Sequence, residues 1–147
     1  MNVRDLLAKK GEKVHTIALS SSILSAVQLM NKMHIGALIV LNEKKEVAGI
    51  ISERDVLKNI ASMSLDDPVK TIMTPADKLL IVNEDDTVDY AMSIFTNNRI
   101  RHLPVFRDKT LTGLISIGDT VKGVLIEKQT ENKLLQDYIT GTYPIYS

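Results

Sequence analysis

The feature that most constrains the fold of this chain is an internal repeat. Residues 49–58 (GIISERDVLK) and residues 113–122 (GLISIGDTVK) are identical at five of ten positions. Upstream, residues 35–41 align with residues 100–106 at nearly the same offset, which changes by one residue inside a polar turn. Turns are where changes of length are tolerated. An ordered match of this kind indicates two copies of one structural unit.

Each copy predicts the order short helix, strand, helix, strand, turn, strand, helix. Apolar residues recur at positions i, i+3, i+4 and i+7 after Ser22 and again after Thr87, as in an amphipathic helix that begins at an N-cap. Short β-branched runs at residues 38–41 and 47–51 flank the polar turn at residues 42–46, which predicts paired strands. The fold class predicted from these patterns is α/β (α+β).

The chain divides into a first repeat at residues 1–63, a second repeat at residues 64–123, and a C-terminal helix and tail at residues 124–147. Gly11 is expected to end the first short helix, and Pro68 is expected to end the helix from Ser52 near Met63. A unit of roughly 60 residues buries little surface alone, so we expect the two repeats to share one core.

The C-terminal segment at residues 124–139 is helical in pattern, and residues 141–144 (GTYP) are expected to close it. The helix carries an apolar patch, which consists of Leu134, Leu135, Tyr138 and Ile139. The patch has three possible roles: covering the core, forming a dimer contact, or acting as a lid over a ligand. The sequence does not choose among them.

Composition and charge exclude several classes of function. Lys plus Arg (18) equals Asp plus Glu (18), so no net charge attracts nucleic acid or anionic lipid. There is no cysteine, and the three histidines share no metal-ligand spacing. No phosphate loop or dinucleotide loop is present, so an enzyme is not favoured. No apolar run is long enough to span a membrane, and the polar N-terminus does not resemble a signal peptide. We therefore expect a cytoplasmic protein.

The pattern Gly-x-x-Ser-x-x-Asp occurs twice, at residues 49–55 and 113–119, where an apolar strand turns into a helix. Ser at the N-cap with Asp three residues later resembles a capping box, which needs no ligand. A carboxylate also accepts hydrogen bonds at two oxygens, so Asp55 or Asp119 can bind both hydroxyls of a ribose. The helix N-terminus favours anions, and glycine leaves room for a flat ring or for backbone.

Taken together, the two motif segments, residues 99–105 (RIRHLPV) and residues 69–74 (VKTIMT) resemble the CBS (cystathionine β-synthase) domain family. The resemblance is to a stand-alone tandem pair and covers roughly residues 3–123. It implies two β-α-β-β-α repeats, related by an approximate twofold axis and packed through their sheets, with a C-terminal helix added. It also implies adenosine-containing ligands: AMP, ATP, NAD(H) or S-adenosylmethionine.

The resemblance further implies two clefts, each formed by the motif of one repeat and strand residues of the other. The first cleft would contain Ser52, Arg54, Asp55, Thr74, Leu79, Ile100, Arg101 and His102. The second cleft would contain Ser116, Asp119, Val14, Ile35, Gly36 and Ala37. The first cleft has more cationic side chains, so we expect it to bind the more phosphorylated end of a nucleotide.

The role implied by the family is regulatory. Nucleotide binding would change a module that signals to a separate effector protein, and a homodimer is expected. The alternative function is a protein-interaction or dimerisation scaffold whose nucleotide sites are vestigial.

Overall fold

The structure, a computed structural model, describes residues 1–11 and 14–140. Two compact units are present: the middle unit contains residues 14–80, and the split unit contains residues 1–11 and 81–140. The closing segment predicted at residues 141–144 lies outside the described residues.

The elements follow one another in the predicted order, except that the second repeat opens with a 3-10 turn in place of a short helix and contains one additional short strand, Thr74–Pro75. They are α1 (Val3–Lys10), β1 (Thr16–Ala18), α2 (Ile23–Met33), β2 (Ala37–Leu41), β3 (Val47–Ser52), α3 (Glu53–Asn59), β4 (Thr74–Pro75), β5 (Val82–Asn83), α4 (Val88–Asn98), β6 (His102–Arg107), β7 (Thr110–Ser116) and α5 (Ile117–Thr140). Short 3-10 turns cover Val69–Thr71 and Ala76–Lys78. The α/β class with an added C-terminal helix is therefore confirmed.

The middle unit is a four-stranded sheet in the order β1-β2-β3-β4. β1 pairs parallel with β2, and β2–β3 and β3–β4 are antiparallel pairs. Ser22 caps α2 by accepting a hydrogen bond from the backbone N–H of Ser25, as the sequence predicts. Leu38, Val40 and Ile51 from the sheet pack with Met30 of α2 to form the core.

The split unit is a three-stranded sheet in the order β5-β6-β7, with a parallel and an antiparallel pair like those of β1-β2-β3. Thr87 caps α4 through the backbone N–H of Tyr90. Phe95 of α4 is buried with Leu103 and Ile115 of the sheet. The same alternation of apolar and polar residues thus produces the same local fold in both copies.

The short opening segment of each repeat packs with strands of the other repeat. α1 opens the first repeat, and its residues Val3, Leu6 and Leu7 are buried in the core of the split unit with the strands of the second repeat. Val69 opens the second repeat, yet it is buried in the core of the middle unit. The boundaries between the compact units therefore differ from the boundaries predicted for the sequence repeats. The repeat boundaries stay a prediction.

Two helices have bounds that differ from those expected: α3 ends earlier, and the C-terminal helix begins earlier. α3 ends at Asn59 and not near Met63, because the Asn59 side chain donates to the Asp55 carbonyl oxygen (2.7 Å) and the Asn59 carbonyl accepts from Met63 N–H (2.9 Å) in a turn. Asn competes in this way with the helical hydrogen bonds. The C-terminal helix is not separate, because α5 runs without a break from Ile117 to Thr140.

The apolar patch of α5 does not cover the core. Its four side chains are all exposed, from Leu134 at 52% to Ile139 at 80%. Of the three roles open to this patch, coverage of the core is thus removed. No helix in the described residues is both long enough and apolar enough to cross a membrane.

Candidate functional site

In the middle unit, the repeated motif forms the junction between β3 and α3. The backbone N–H and hydroxyl of Ser52 both donate to Asp55 Oδ2, at 2.9 and 3.1 Å. The Asp55 N–H donates back to Ser52 Oγ at 3.3 Å, which completes a capping box. The start of β2 lies alongside, because Ala37 pairs with Ser52 and the Gly36 carbonyl accepts from Glu53 N–H at 3.0 Å.

In the split unit, the motif forms the same junction between β7 and α5. Ser116 N–H donates to Asp119 Oδ2, and Asp119 N–H donates to Ser116 Oγ, both at 3.0 Å. His102 pairs with Ser116, and the Arg101 carbonyl accepts from Ile117 N–H at 2.9 Å. The residue pair at the start of the central strand is therefore adjacent to the motif in both units.

The capping role and a ligand role for the two aspartates are compatible. Each carboxylate uses Oδ2 for the cap, and Oδ1 accepts no hydrogen bond from the described residues in either Asp55 or Asp119. Both residues are half-buried at the end of a sheet. One acceptor oxygen therefore holds the helix N-terminus while the other remains for a donor such as a ribose hydroxyl.

The two junctions differ in charge. Lys10 Nζ donates to Asp119 Oδ2 and to the Leu114 carbonyl, both at 2.7 Å. Among residues 1–11 and 14–140, no cation lies within ion-pair distance of Asp55. Burial acts to raise the pKa of Asp119, but the hydrogen bonds from Lys10 and Ser116 and the Lys10 charge outweigh it, so this pKa lies below its ordinary value.

His102 is close to the same charges. Burial lowers the pKa of His102 to about 4, the charges of Lys10 and Arg101 act in the same direction, and Asp119 acts against them. The imidazole is therefore neutral at pH 7, so it brings a donor and an acceptor to this junction and no charge.

A family model described as the CBS domain matches the chain twice, at residues 3–62 and 69–125. The chain belongs to the CBS-domain family. It is 37% identical over 150 residues to the mitochondrial CBS domain-containing protein CBSX3 of Arabidopsis thaliana, with 96% of this chain and 73% of the relative covered. The crystal structure of the CBS-domain protein ATU1752 from Agrobacterium tumefaciens has a TM-score of 0.79 at 37% identity, with 84% of this chain and 98% of that chain covered.

Other CBS structures contain ligands. The CBS pair of protein MJ0100, at 25% identity and a TM-score of 0.73, covers 87% of this chain and 98% of its own, and was solved with 5′-methylthioadenosine and S-adenosylmethionine. The CBS protein PAE2072 from Pyrobaculum aerophilum was solved with AMP. It is 24% identical, with a TM-score of 0.76 over 88% of this chain and 99% of that chain, so the similarity shows a shared fold. CBS pairs of this fold thus bind adenosine-containing molecules.

The structure brings together part of each set of residues carried over from the CBS family. The middle unit holds one motif with its neighbouring residues: Ser52, Arg54, Asp55, Gly36, Ala37, Ile35, Thr74, Leu79 and Val14. The split unit holds the other motif with Ser116, Asp119, Ile100, Arg101 and His102. Thr74 pairs with Ile50 in the strand that ends at Ser52. Pairings of residues from different units stay predictions.

The motif glycines have structural reasons to be glycine. A Cβ on Gly49 would collide with the backbone carbonyl oxygen of Thr74, and a Cβ on Gly113 would collide with the side chain of Leu7. Of the two alternatives that the sequence left open, close approach of backbone is observed at Gly49, whereas the neighbour at Gly113 is a side chain, which neither alternative named. Both neighbours belong to the opening segment of the opposite repeat.

Lys10 is the residue of the site that sequence reasoning missed. The alignment of residues 3–7 with residues 69–73, continued to the end of α1, places Lys10 opposite Ala76. A lysine in one copy and an alanine in the other is the signal that could have indicated it. What the sequence could not provide is the packing of α1 beside β7, which brings Lys10 to Asp119.

A further surface lies between the two helices of the middle unit. A groove of about 530 Å³ is lined mainly by apolar residues of α2 and α3 and includes Ile35, one of the predicted site residues. Leu57 and Ile60 in this groove are 73% and 57% exposed. Large exposed apolar side chains that cluster in this way are typical of interaction surfaces.

Proposed function

We propose that this CBS pair is a regulatory module that binds adenosine-containing nucleotides and does not catalyse a reaction. The single observation that carries the proposal is that Oδ1 of Asp55 and of Asp119, at the end of a sheet, accepts no hydrogen bond from the described residues, while Oδ2 serves the helix cap. Relatives of the same fold that contain 5′-methylthioadenosine, S-adenosylmethionine or AMP support it. The candidate ligands are AMP, ATP, NAD(H) and S-adenosylmethionine.

The residues proposed to bind the ligand are those predicted from the family. Asp55 and Asp119 accept ribose hydroxyls, and Ser52 and Ser116 lie beside them. Arg54 and Arg101 are exposed cationic side chains near the two motifs and are suited to phosphate. The strand-edge residues then enclose the adenine; they are Val14, Ile35, Gly36, Ala37, Thr74, Leu79, Ile100 and His102.

The test uses Asp→Asn variants, because an Asn oxygen can still accept the Ser N–H and keep the helix cap. Asp55→Asn and Asp119→Asn therefore leave the fold in place but remove a carboxylate acceptor from the ribose. Thermal melting is recorded with AMP, ATP, NAD, NADH and S-adenosylmethionine, with GTP as a control for the base. A ligand at about 100 times its Kd stabilises the wild type by about 2.7 kcal/mol, a shift of several degrees.

The ribose contact has its own control. We expect 2′,3′-dideoxy-AMP, which lacks both hydroxyls, to bind the wild type as weakly as AMP binds the Asn variants, and to be affected little further by those variants. If no adenosine-containing ligand shifts the melting temperature, the proposal is wrong and the scaffold with vestigial nucleotide sites takes its place.

We propose, second, that the protein is a homodimer that buries the exposed apolar surfaces of α3 and α5. Leu57 and Ile60 of the α2–α3 groove and the exposed patch of α5 support this. Sedimentation velocity over a hundredfold range of concentration tests it, with Leu57→Glu and Leu135→Glu as variants. A wild type that stays monomeric throughout would remove the proposal.

Signalling to a separate effector protein in the cytoplasm completes the proposed function. Since the matched Arabidopsis relative is a mitochondrial protein, the compartment is tested directly by fractionation. An effector is recognised by capture that depends on added nucleotide and is lost in both Asn variants. If an effector is captured equally with and without nucleotide, and equally by the wild type and both Asn variants, the signalling role is contradicted.

A further inference from the structure

The contact between Lys10 and Asp119 occupies a carboxylate that is proposed to bind ribose. Lys10 is the last residue of α1, and its ammonium is held by Asp119 Oδ2 and the Leu114 carbonyl, each at 2.7 Å. The side chains of Lys10 and Asp119 are 36% and 33% exposed, so a ligand can reach both. Because the ammonium is compact, with three donors on a flexible four-carbon stem, it can turn to another acceptor without a movement of α1.

The contact is specific to one of the two motifs. Ala76 stands opposite Lys10 in the alignment of the repeats, and Asp55 has no ion pair with a described residue. Arg101 adds a second cation beside this motif, because its backbone carbonyl accepts from the N–H of Ile117 at 2.9 Å. Positive charge is therefore concentrated at the Asp119 motif within its unit.

The ion pair has different consequences for neutral and for phosphorylated ligands. A neutral nucleoside whose ribose binds Asp119 Oδ1 gives the ammonium on Oδ2 no new partner. A nucleotide gives the ammonium a phosphate, and charge-assisted hydrogen bonds of this kind are roughly twice as strong as neutral ones.

We propose that Lys10 makes the Asp119 site selective for adenosine derivatives that carry a phosphate, by turning from Oδ2 of Asp119 to the phosphate while Oδ1 binds the ribose. This inference rests on the proposed nucleotide binding at the two motifs. It assigns the phosphate preference to the Asp119 motif, in contrast to the sequence-based expectation that the more phosphorylated end binds at Asp55.

The experiment is calorimetric titration of the full-length chain with adenosine and with AMP. All proteins carry Asp55→Asn, so that binding is measured at the Asp119 site. The variant is Lys10→Met, and the matched control is Lys9→Met, which removes the same charge from an exposed neighbour of the same helix. Lys10→Arg tests whether a cation at this position is sufficient, and a melting curve of each variant checks that it is folded.

We expect Lys10→Met to weaken AMP binding about tenfold and to leave adenosine binding unchanged or tighter, while Lys9→Met retains the preference of the parent protein. We expect Lys10→Arg to recover most of that preference. If the ratio of AMP to adenosine affinity is the same in Lys10→Met and Lys9→Met, the role of Lys10 is overturned while nucleotide binding stands. If the parent protein and the fully wild-type chain bind neither compound, the proposed function itself is wrong.

Discussion

His102 makes the stability of the protein depend on pH in a window that the structure defines. The pKa of His102 is about 4 in the folded chain, compared with 6.5 for an ordinary histidine. Below pH 6.5 the unfolded chain takes up a proton that the folded chain resists until about pH 4. The free energy of unfolding therefore falls as the pH is lowered through this window.

The magnitude follows from the two pKa values. The full difference corresponds to roughly 3 kcal/mol, and about 2 kcal/mol of it is lost by pH 5, since one pKa unit is worth 1.36 kcal/mol. For a chain of this size, 2 kcal/mol lowers Tm by roughly 4 to 8 °C. The pKa of Asp119 is also lowered, but its ordinary value is 3.8. The stabilisation from its pairing with Lys10 is thus present above that pH and is lost only at more acidic pH.

The assay is urea unfolding followed by circular dichroism at pH 7.5, 6.0 and 5.0. We expect the stability difference between the wild type and His102→Asn to shrink by about 2 kcal/mol from pH 7.5 to pH 5.0. The control is His34→Asn, at an exposed left-handed helix cap that Asn also adopts readily. Parallel pH profiles for wild type and His102→Asn, or a His102 ring that titrates near 6.5 by NMR, would refute the reasoning.

Three further predictions concern packing; the first two are checked by urea unfolding and the third by hydrogen exchange. Gly49→Ala should destabilise the fold by about 1–3 kcal/mol because the new methyl meets the backbone carbonyl of Thr74, which cannot move aside as a side chain can. Gly118→Ala is the control, because this helical position has no neighbour closer than van der Waals contact, and the change should be neutral or stabilising. Equal losses of stability in the two variants would contradict this contrast. Phe95→Ala should cost about 3–5 kcal/mol because the ring is 1% exposed in the core of the split unit; a loss below 1 kcal/mol would be inconsistent with that burial. Deletion of residues 1–11 should cause loss of protection in β6 and β7 by hydrogen exchange while the middle unit keeps its own, and the opposite order would mean that α1 stabilises the first repeat.

The local structure was largely predictable from the sequence. Ser22 and Thr87 cap their helices where the apolar periodicity begins, and the strands around residues 42–46 pair as predicted, because both signals depend on near neighbours in the chain. The end of α3 was not predictable from Pro68, since the Asn59 side chain, nine positions before that proline, competes for the helical hydrogen bonds. The exposure of Ile139 was not predictable either, because an apolar helix face has the same sequence pattern whether it packs on a core or on a partner.

The candidate site was predictable in part. The motif showed where Asp55 and Asp119 would cap helices, and the family resemblance suggested what else they bind. The distinction between the two aspartates was not predictable, because it arises from Lys10, more than 100 positions away from Asp119 in the chain. Contacts at such separation depend on tertiary packing and leave no local pattern in a single sequence.

The exchange of opening segments also has a consequence for synthesis on the ribosome. α1 is made first, but Leu7 packs with β7, and Ile115 of that strand follows it by 108 positions. At a translation rate of about 5–20 residues per second, the partner strand of α1 is synthesised roughly 5 to 20 s after α1 itself. The middle unit is contiguous and can complete its sheet during this interval, with Val69 filling its core. The nascent chain therefore exposes the apolar residues of the α1 segment during the interval in which the middle unit can already fold.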